Sequence, residues 1–468
     1  MESKGFKVII VGGSIAGLTL AHTLSRIGID YVVLEKRGYV APKEGASILI
    51  LPHGGRILEQ LGLFKIIEQS SEPLHTAHIH FPDGFEHTNT SPGVFNDRFG
   101  LPLAFLERQK MLEILFDNLP DKSKILCGKK ITQIEDFEDA VTVHTDDGNM
   151  YKGDLVVGAD GVHSRVRAEM WRLAEETKPS VISAAERKSM TVQYVCAFGI
   201  SSDVAGLVPG EQVCSFNDGR SFLTFPGKDG RVFWFLVKKL EQKHPYSHAP
   251  RFSSKDVEPI CRPFMNDKIL ENVRFSDLWT LKKACSVIAL EENVFQTWGY
   301  RRIVCIGDSM HKVYDTKHRG GANCAIEDVA ALANMLNARG VTNGRLCKLS
   351  TEELSTLFED YSKTRFDRIS SIYNISRLVV RLHIRDTLLL RLLGRYYMPH
   401  SGDLPMNVAS KMIAGAVALD FLPLPSRSGP GWKIYKTRKS IPRWVTVVAA
   451  TSIMLMVSMC LRKFVLEK

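Results

Sequence analysis

No two cysteines stand close enough to form a CxxC pair. The nine present (Cys127, Cys196, Cys214, Cys261, Cys285, Cys305, Cys324, Cys347 and Cys460) are scattered over 468 residues. This spacing excludes a zinc ribbon and reads as reduced, buried thiols of a cytosolic compartment. No secretory signal is read before the first strand, because Met1–Phe6 leads straight into it. There is no basic-aromatic ribonucleoprotein strand and no heptad repeat, so nucleic acid is not the expected partner of the formal +10 charge. An anionic surface or a phosphate-rich small molecule remains. Internal repeats and low-complexity blocks are also lacking. With 44% hydrophobic and 24% charged residues, the chain is globular, and its length calls for two packed domains plus a tail.

Charge is missing from Trp444 to Leu461 as well. As a helix, this stretch would reach roughly 27 Å, close to the thickness of a thin bilayer. Lys433, Lys436, Arg438, Lys439 and Arg443 precede it, and Arg462, Lys463 and Lys468 follow. A transmembrane helix over 444–461 is therefore expected. It would be a single-pass C-terminal anchor in the endoplasmic reticulum membrane, with the larger basic cluster holding the body in the cytosol.

What is present begins with a short apolar strand, Lys7–Val11. A glycine-rich turn and an apolar helical stretch from Ile15 to about Ile27 follow, then a second strand, Tyr31–Leu34. This is a βαβ opening on a parallel sheet. Leu155–Val157 and Arg302–Ile306 are further short strands leading to glycine–aspartate pairs. The run from Thr191 to Leu240 alternates like antiparallel β-structure, with a hairpin turn at Gly227–Gly230. The expected division is a nucleotide-binding domain from 1–180 and 291–345, a mainly β substrate domain at 181–290, a helical region at 346–425, and the tail helix. Arg377, Arg381 and Arg385 fall at i, i+4 and i+8, a stripe suited to lipid head groups or, more simply, to solvent.

Three motifs carry chemistry. In Gly12-Gly13-Ser14-Ile15-Ala16-Gly17, Gly12 allows the tight turn off the strand and Gly17 the close packing of helix on sheet. The middle position, Ser14, is where backbone approaches a pyrophosphate at a helix N-terminus. Glu35 ends the next strand, where its carboxylate can accept hydrogen bonds from an adenosine ribose. An acid there suits FAD or NAD rather than NADP. The second motif is Gly158-Ala159-Asp160-Gly161-Val162-His163-Ser164-Arg165-Val166-Arg167. The third is Gly307-Asp308, followed by Gly320-Gly321-Ala322-Asn323 opening a helix. A carboxylate in such a turn can hold ribityl hydroxyls, and a helix N-terminus can stabilise the negative charge of a reduced flavin.

In this order the three motifs resemble the aromatic-hydroxylase-type (group A) flavin monooxygenases over nearly the whole chain outside the tail. The resemblance implies a Rossmann-like α/β FAD-binding domain with an interleaved antiparallel-sheet substrate domain. It also implies FAD as cofactor, NAD(P)H as co-substrate and O2 as oxidant. Gly12, Ser14, Gly17 and Glu35 would hold the adenosine and pyrophosphate, with Arg108 near the cofactor. Asp160 would serve both FAD and NAD(P)H, Asp308 the ribityl and pyrophosphate region, and Gly321 with Ala322 the flavin ring. Gly45-Ala46-Ser47-Ile48, Leu51-Pro52-His53-Gly54, Arg56–Gly62, Ser189–Val192 and Pro226–Arg231 are similar to a narrower group. Those are the fungal enzymes that epoxidise prenyl chains of meroterpenoids and indole diterpenes. A small lipophilic prenylated substrate and a downstream terpene cyclase follow as expected partners. Two places depart from the family pattern. Leu49 stands where a glycine often contacts FAD, and Tyr314–Gly320 lacks the usual proline and first glycine. His311 is a candidate general acid by position, and a structural histidine is the simpler reading. Phe216 and Phe222 lie where a substrate-facing sheet is expected, and core packing explains them equally well.

Overall fold

In the computed structural model, which describes residues 5–42, 47–312, 320–340 and 348–437, the apolar run Lys7–Val11 is the central strand of a six-stranded sheet. The strand order is Gly299–Tyr300, Ile303–Cys305, Leu155–Gly158, Lys7–Val11, Asp30–Glu35, Ile125–Cys127. All neighbours are parallel except the first pair. Val8, Ile9 and Ile10 have no exposed surface. Such continuous apolar runs are what a parallel sheet covered on both faces requires. The Ile15–Ile27 helix, ended by Gly28 in the left-handed conformation, packs on it beside the Gly321–Ala338 helix.

An eight-stranded sheet forms the second layer. Its order is His311–Lys312, Lys282–Val294, Thr191–Ser201, Val232–Pro245, Arg220–Pro226, Glu211–Asn217, Thr76–His80, Glu86–Asn89. The expected hairpin pairs Arg220–Pro226 with Val232–Pro245. Asp229 and Gly230, at φ 58° and 68°, make its turn. Strand Thr76–His80 joins parallel to Glu211–Asn217. At the other edge His311–Lys312 pairs with Asn293–Val294, so the turn at Gly307 lies between the two sheets. A small sheet of Ser47–Ile50, Ala104–Glu107 and Glu72–Pro73 sits where the layers meet.

The expected membrane-anchored architecture is corrected. Among the described residues, no helix is long and apolar enough to cross a membrane. The longest, Thr351–His383, is strewn with charged residues. The buried Gly321–Ala338 helix carries Glu327 and Asp328, both committed to ion pairs. The 444–461 segment lies outside the described residues, and the single-pass endoplasmic-reticulum placement is withdrawn with it. The arginine stripe is also reassigned. Arg377 and Arg381 pair with Glu292, Arg381 also donates to Gln193, and Arg385 binds Asp218. Arg377 and Arg381 therefore tie the long helix to the second sheet, and Arg385, past the helix end at His383, ties the following turn to it, instead of one stripe facing lipid or solvent. The described cysteines are free thiols, buried or half-buried.

Candidate cofactor and active site

The first turn is built by exclusion of side chains. Gly12 has φ 108°, and a Cβ there would lie 2.4 Å from the Ala159 carbonyl oxygen. A Cβ on Gly17 would lie 1.9 Å from the Gly12 oxygen. Glycine is therefore required at both positions by the close approach of the protein's own backbone. Glu35, nearly fully buried, accepts the Gly13 N–H at 2.7 Å on Oε2 and the Arg37 N–H at 2.9 Å on Oε1. Each oxygen keeps a lone pair, so the carboxylate can still accept ribose hydroxyls. From the start of the Arg108–Asp117 helix, Arg108 donates from Nη2 to the Ser14 hydroxyl at 2.8 Å. Gly12, Ser14, Gly17, Glu35 and Arg108 thus lie together around one turn.

Asp160 accepts from the Ser164 hydroxyl at 2.6 Å and from the Arg165 and Val166 N–H groups at 2.7 and 3.1 Å. It organises the N-terminus of the Arg165–Thr177 helix. Burial raises its pKa, opposed by these hydrogen bonds. Arg167 joins this loop to the third motif, donating to the Val162 carbonyl at 2.9 Å and to the Ser309 carbonyl. Its guanidinium lies over Phe295 at 4.3 Å. The Ser309 hydroxyl returns to the Gly158 carbonyl at 2.7 Å. Asp308 is half-buried and ion-paired with Lys312. Gly307, at φ 62°, presses so close to the helix that a Cβ would meet Ala325 Cβ at 2.8 Å.

Gly321 and Ala322 form the first turn of the Gly321–Ala338 helix. The next residue, Asn323, is fully buried. It clamps the Ser47–Ile50 strand, donating to the Leu49 carbonyl at 2.8 Å and accepting the Leu51 N–H at 2.9 Å. Leu49 is therefore fixed beside the helix N-terminus. The 314–319 loop and Gly45-Ala46, on which two expectations rested, lie outside the described residues.

Leu49 is directly opposite Phe105 in the antiparallel register, so their side chains share a face. Phe105 stacks on Phe225 at 4.3 Å and 11°, meets Phe233 edge-on at 5.1 Å, and reaches Phe235 at 6.4 Å. Phe198 continues the row, 6.4 Å from Phe235. The inner face of the eight-stranded sheet is therefore a phenylalanine wall beside Leu49, with Phe235 half-buried. The sequence reading named Phe216 and Phe222 for this sheet. Both lie on it: Phe216 shares the wall's face and stacks on His383 at 4.4 Å, while Phe222 takes the core-packing alternative on the outer face, against Phe275 at 4.9 Å. Alternation within Phe233–Phe235 was the available signal for the wall. His311 has no exposed surface and bonds to Asp328 through Nε2 at 2.6 Å. It is a structural histidine. Among the described residues no cluster of side chains could hold a metal.

A Rossmann-like sheet, a glycine cradle with a ribose-ready acid, and an aromatic-faced second sheet define an FAD-dependent oxidoreductase. The family described as FAD binding domain matches residues 5–345. The FAD-dependent monooxygenase olcE of Penicillium canescens is 69% identical over the full length of both chains. The FAD-dependent monooxygenase spyC of Aspergillus fumigatus is 57% identical over 95% of this chain and 94% of its own. Among solved structures, HpxO of Klebsiella pneumoniae complexed with FAD and uric acid superposes with a TM-score of 0.69. It is 20% identical and covers 88% of this chain and 97% of its own. Tetracycline destructase Tet(51) gives 0.63 at 15% identity, covering 90% of this chain and all of its own. These two share the fold. The chain belongs to the FAD binding domain family and is an FAD-dependent monooxygenase of fungal secondary metabolism. NAD(P)H is the reductant typical of that family.

Proposed function

We propose that the protein epoxidises an alkene in the prenyl chain of a lipophilic meroterpenoid or indole-diterpene precursor. The phenylalanine wall beside Leu49 carries this reading. The five rings carry no charge, four of them are buried, and the half-buried Phe235 is the one that offers apolar contact, suited to a hydrocarbon chain and not to a small polar substrate. The balance is alkene, O2, NAD(P)H and a proton giving epoxide, NAD(P)+ and water. Bound FAD supplies the redox chemistry, accepting hydride equivalents and activating O2. The chain's own residues divide the remaining work. Gly12, Gly17, Glu35 and Arg108 anchor the dinucleotide end. Asp308 and the Gly321 helix terminus face the ribityl and ring end, where the helix dipole favours negative charge. The wall holds the alkene and keeps water away. A terpene cyclase is the class of enzyme that would consume the product, since acid opening of an epoxide initiates cyclisation.

The test is turnover of prenylated precursors under labelled O2. One labelled atom should enter the product, as epoxide, ether or hydroxyl, only when NAD(P)H is present. Label from water would overturn the mechanism. Hydroxylation of a simple phenol with prenylated compounds untouched would overturn the substrate class.

A further inference from the structure

A buried charge cluster behind the Gly307–Asp308 turn crosses from the cofactor layer into the helical region. Arg365, on the Thr351–His383 helix, has no exposed surface, and neither do Glu327 and Asp328. Its Nε donates to Asp328 Oδ1 at 2.8 Å, its Nη1 pairs with Glu327, and its Nη2 donates to the Cys324 carbonyl at 3.3 Å. Arg368 adds a bidentate pair to Glu327 at 2.6 and 3.0 Å. Two acids are thereby balanced by two guanidiniums. The remaining oxygen of Asp328 does something different. Oδ2 accepts the Gly307 N–H at 2.9 Å and bonds to His311 Nε2 at 2.6 Å. One carboxylate oxygen therefore holds both ends of the turn that presents Asp308.

The orientation of that carboxylate is set by Arg365, because Oδ1 must face the guanidinium for Oδ2 to face the turn. Burying two acids and two cations is a poor route to stability, since an apolar cluster of the same volume would serve as well. Fixing one geometry is a use for which such a cluster is retained in some proteins. We propose that Arg365 and Asp328 are positioning residues for the cofactor site. Through them, a helix outside the dinucleotide fold holds the Gly307–His311 turn in its binding shape before FAD arrives. The inference rests on this turn facing FAD.

The test uses the full-length apoprotein, with FAD added back. Hydrogen exchange of the wild-type apoprotein should show the 303–312 segment already protected. Asp328→Asn and Arg365→Met should lose that protection and weaken FAD binding, followed by quenching of flavin fluorescence, at least tenfold. Arg365→Lys, which keeps the charge but loses the fork, should fall between. Free exchange of the segment in wild-type apoprotein, with protection appearing only on adding FAD, would overturn the proposal even if every variant failed to fold. Variants with a lowered melting temperature but wild-type FAD affinity would also overturn it, leaving the cluster a stabilising device. Failure of the wild type to bind FAD at all is a separate result and strikes the cofactor reading instead.

Discussion

Arg108 donates to the Ser14 hydroxyl at 2.8 Å, a contact that a glycine at the middle position of the phosphate turn could not make. The departure from the glycine pattern thus has a physical role. The hydroxyl holds a guanidinium at the N-terminus of the Ile15–Ile27 helix; on the proposed cofactor reading this is beside the pyrophosphate, where positive charge and the helix dipole act together. Ser14→Gly restores the common pattern and releases Arg108. A hydrogen bond to a charged group contributes about 1.5–3 kcal/mol, so FAD affinity should fall roughly tenfold or more. Because the bond is present without FAD, the melting temperature of the apoprotein should fall as well. Equal or tighter FAD binding by the variant would show that Ser14 is merely tolerated.

Glu35 offers a second test of the same cradle. Its two oxygens already accept the Gly13 and Arg37 N–H groups. Glu35→Gln replaces one acceptor by a donor facing an N–H, and should lower FAD affinity by at least about tenfold. Glu35→Arg should abolish retention by crowding the ribose position. The flavin-to-protein absorbance ratio of the purified protein reads both, and a fully yellow Glu35→Arg protein would reject the assignment.

The parts of this site that sequence made legible are those where one residue type answers a local demand. Gly12 and Gly17 are glycines because backbone stands within 2.4 Å of where their side chains would begin. Lys7–Val11 is apolar because both faces of its strand are covered. What stayed hidden depends on partners far along the chain. Glu327 and Asp328 read as ordinary acids on a helix, since Arg365 lies 37 residues beyond Asp328. Arg377, Arg381 and Arg385 read as a surface stripe because Glu292, on a distant strand, and Asp218, in a hairpin turn, do not announce themselves. Thr76–His80 is too polar to read as a strand, yet it joins the second sheet between Glu211–Asn217 and Glu86–Asn89. The aromatic wall was missed for a related reason, because strand alternation alone does not say which face meets Phe105.

Acid should destabilise the protein from an unusually high pH. His53 is buried and lines a small cavity with Cys324, Arg368, Ile372, Ala409, Met412 and Ile413. Burial, ahead of any charge effect, pushes its pKa from 6.5 down to about 3. The folded state keeps this imidazole neutral while the unfolded chain takes up the proton, so stability is complete above pH 6.5 and declines as pH falls toward 3. At about 1.4 kcal/mol per unit, roughly 2 kcal/mol is lost between about pH 6.5 and about pH 5. Glu327 acts lower. Burial alone would raise it, but Arg365 and Arg368 outweigh that and hold it at about 2. Its contribution is present above 4.5 and is lost between 4.5 and about 2. In denaturant melts, His53→Leu should flatten the loss above about pH 5 and leave the steeper loss below it. Identical pH profiles for variant and wild type would reject the assignment to His53.

The phenylalanine wall makes the sharpest demand on the proposed function, because its two faces predict opposite phenotypes. Phe235 is half-buried on the inner face, 6.4 Å from Phe105 and 6.0 Å from Phe225. If the prenyl chain lies there, Phe235→Ala removes apolar contact from the substrate more than from the fold. KM for the prenylated substrate should rise about tenfold or more, corresponding to at least 1.4 kcal/mol of lost contact. FAD content should be unchanged, and Phe235→Leu should recover most of the loss. Phe222 is only 1% exposed on the outer face of the same sheet, against Phe275 and with Trp234 in the same core cluster. Phe222→Ala should cost about 3–5 kcal/mol of stability, as core truncations of this size do. The protein that remains folded should keep its KM. Steady-state kinetics on both variants, with melting curves alongside, separate binding from packing. An unchanged KM in Phe235→Ala would remove the wall from the substrate site and with it the main physical support for a hydrocarbon-chain substrate.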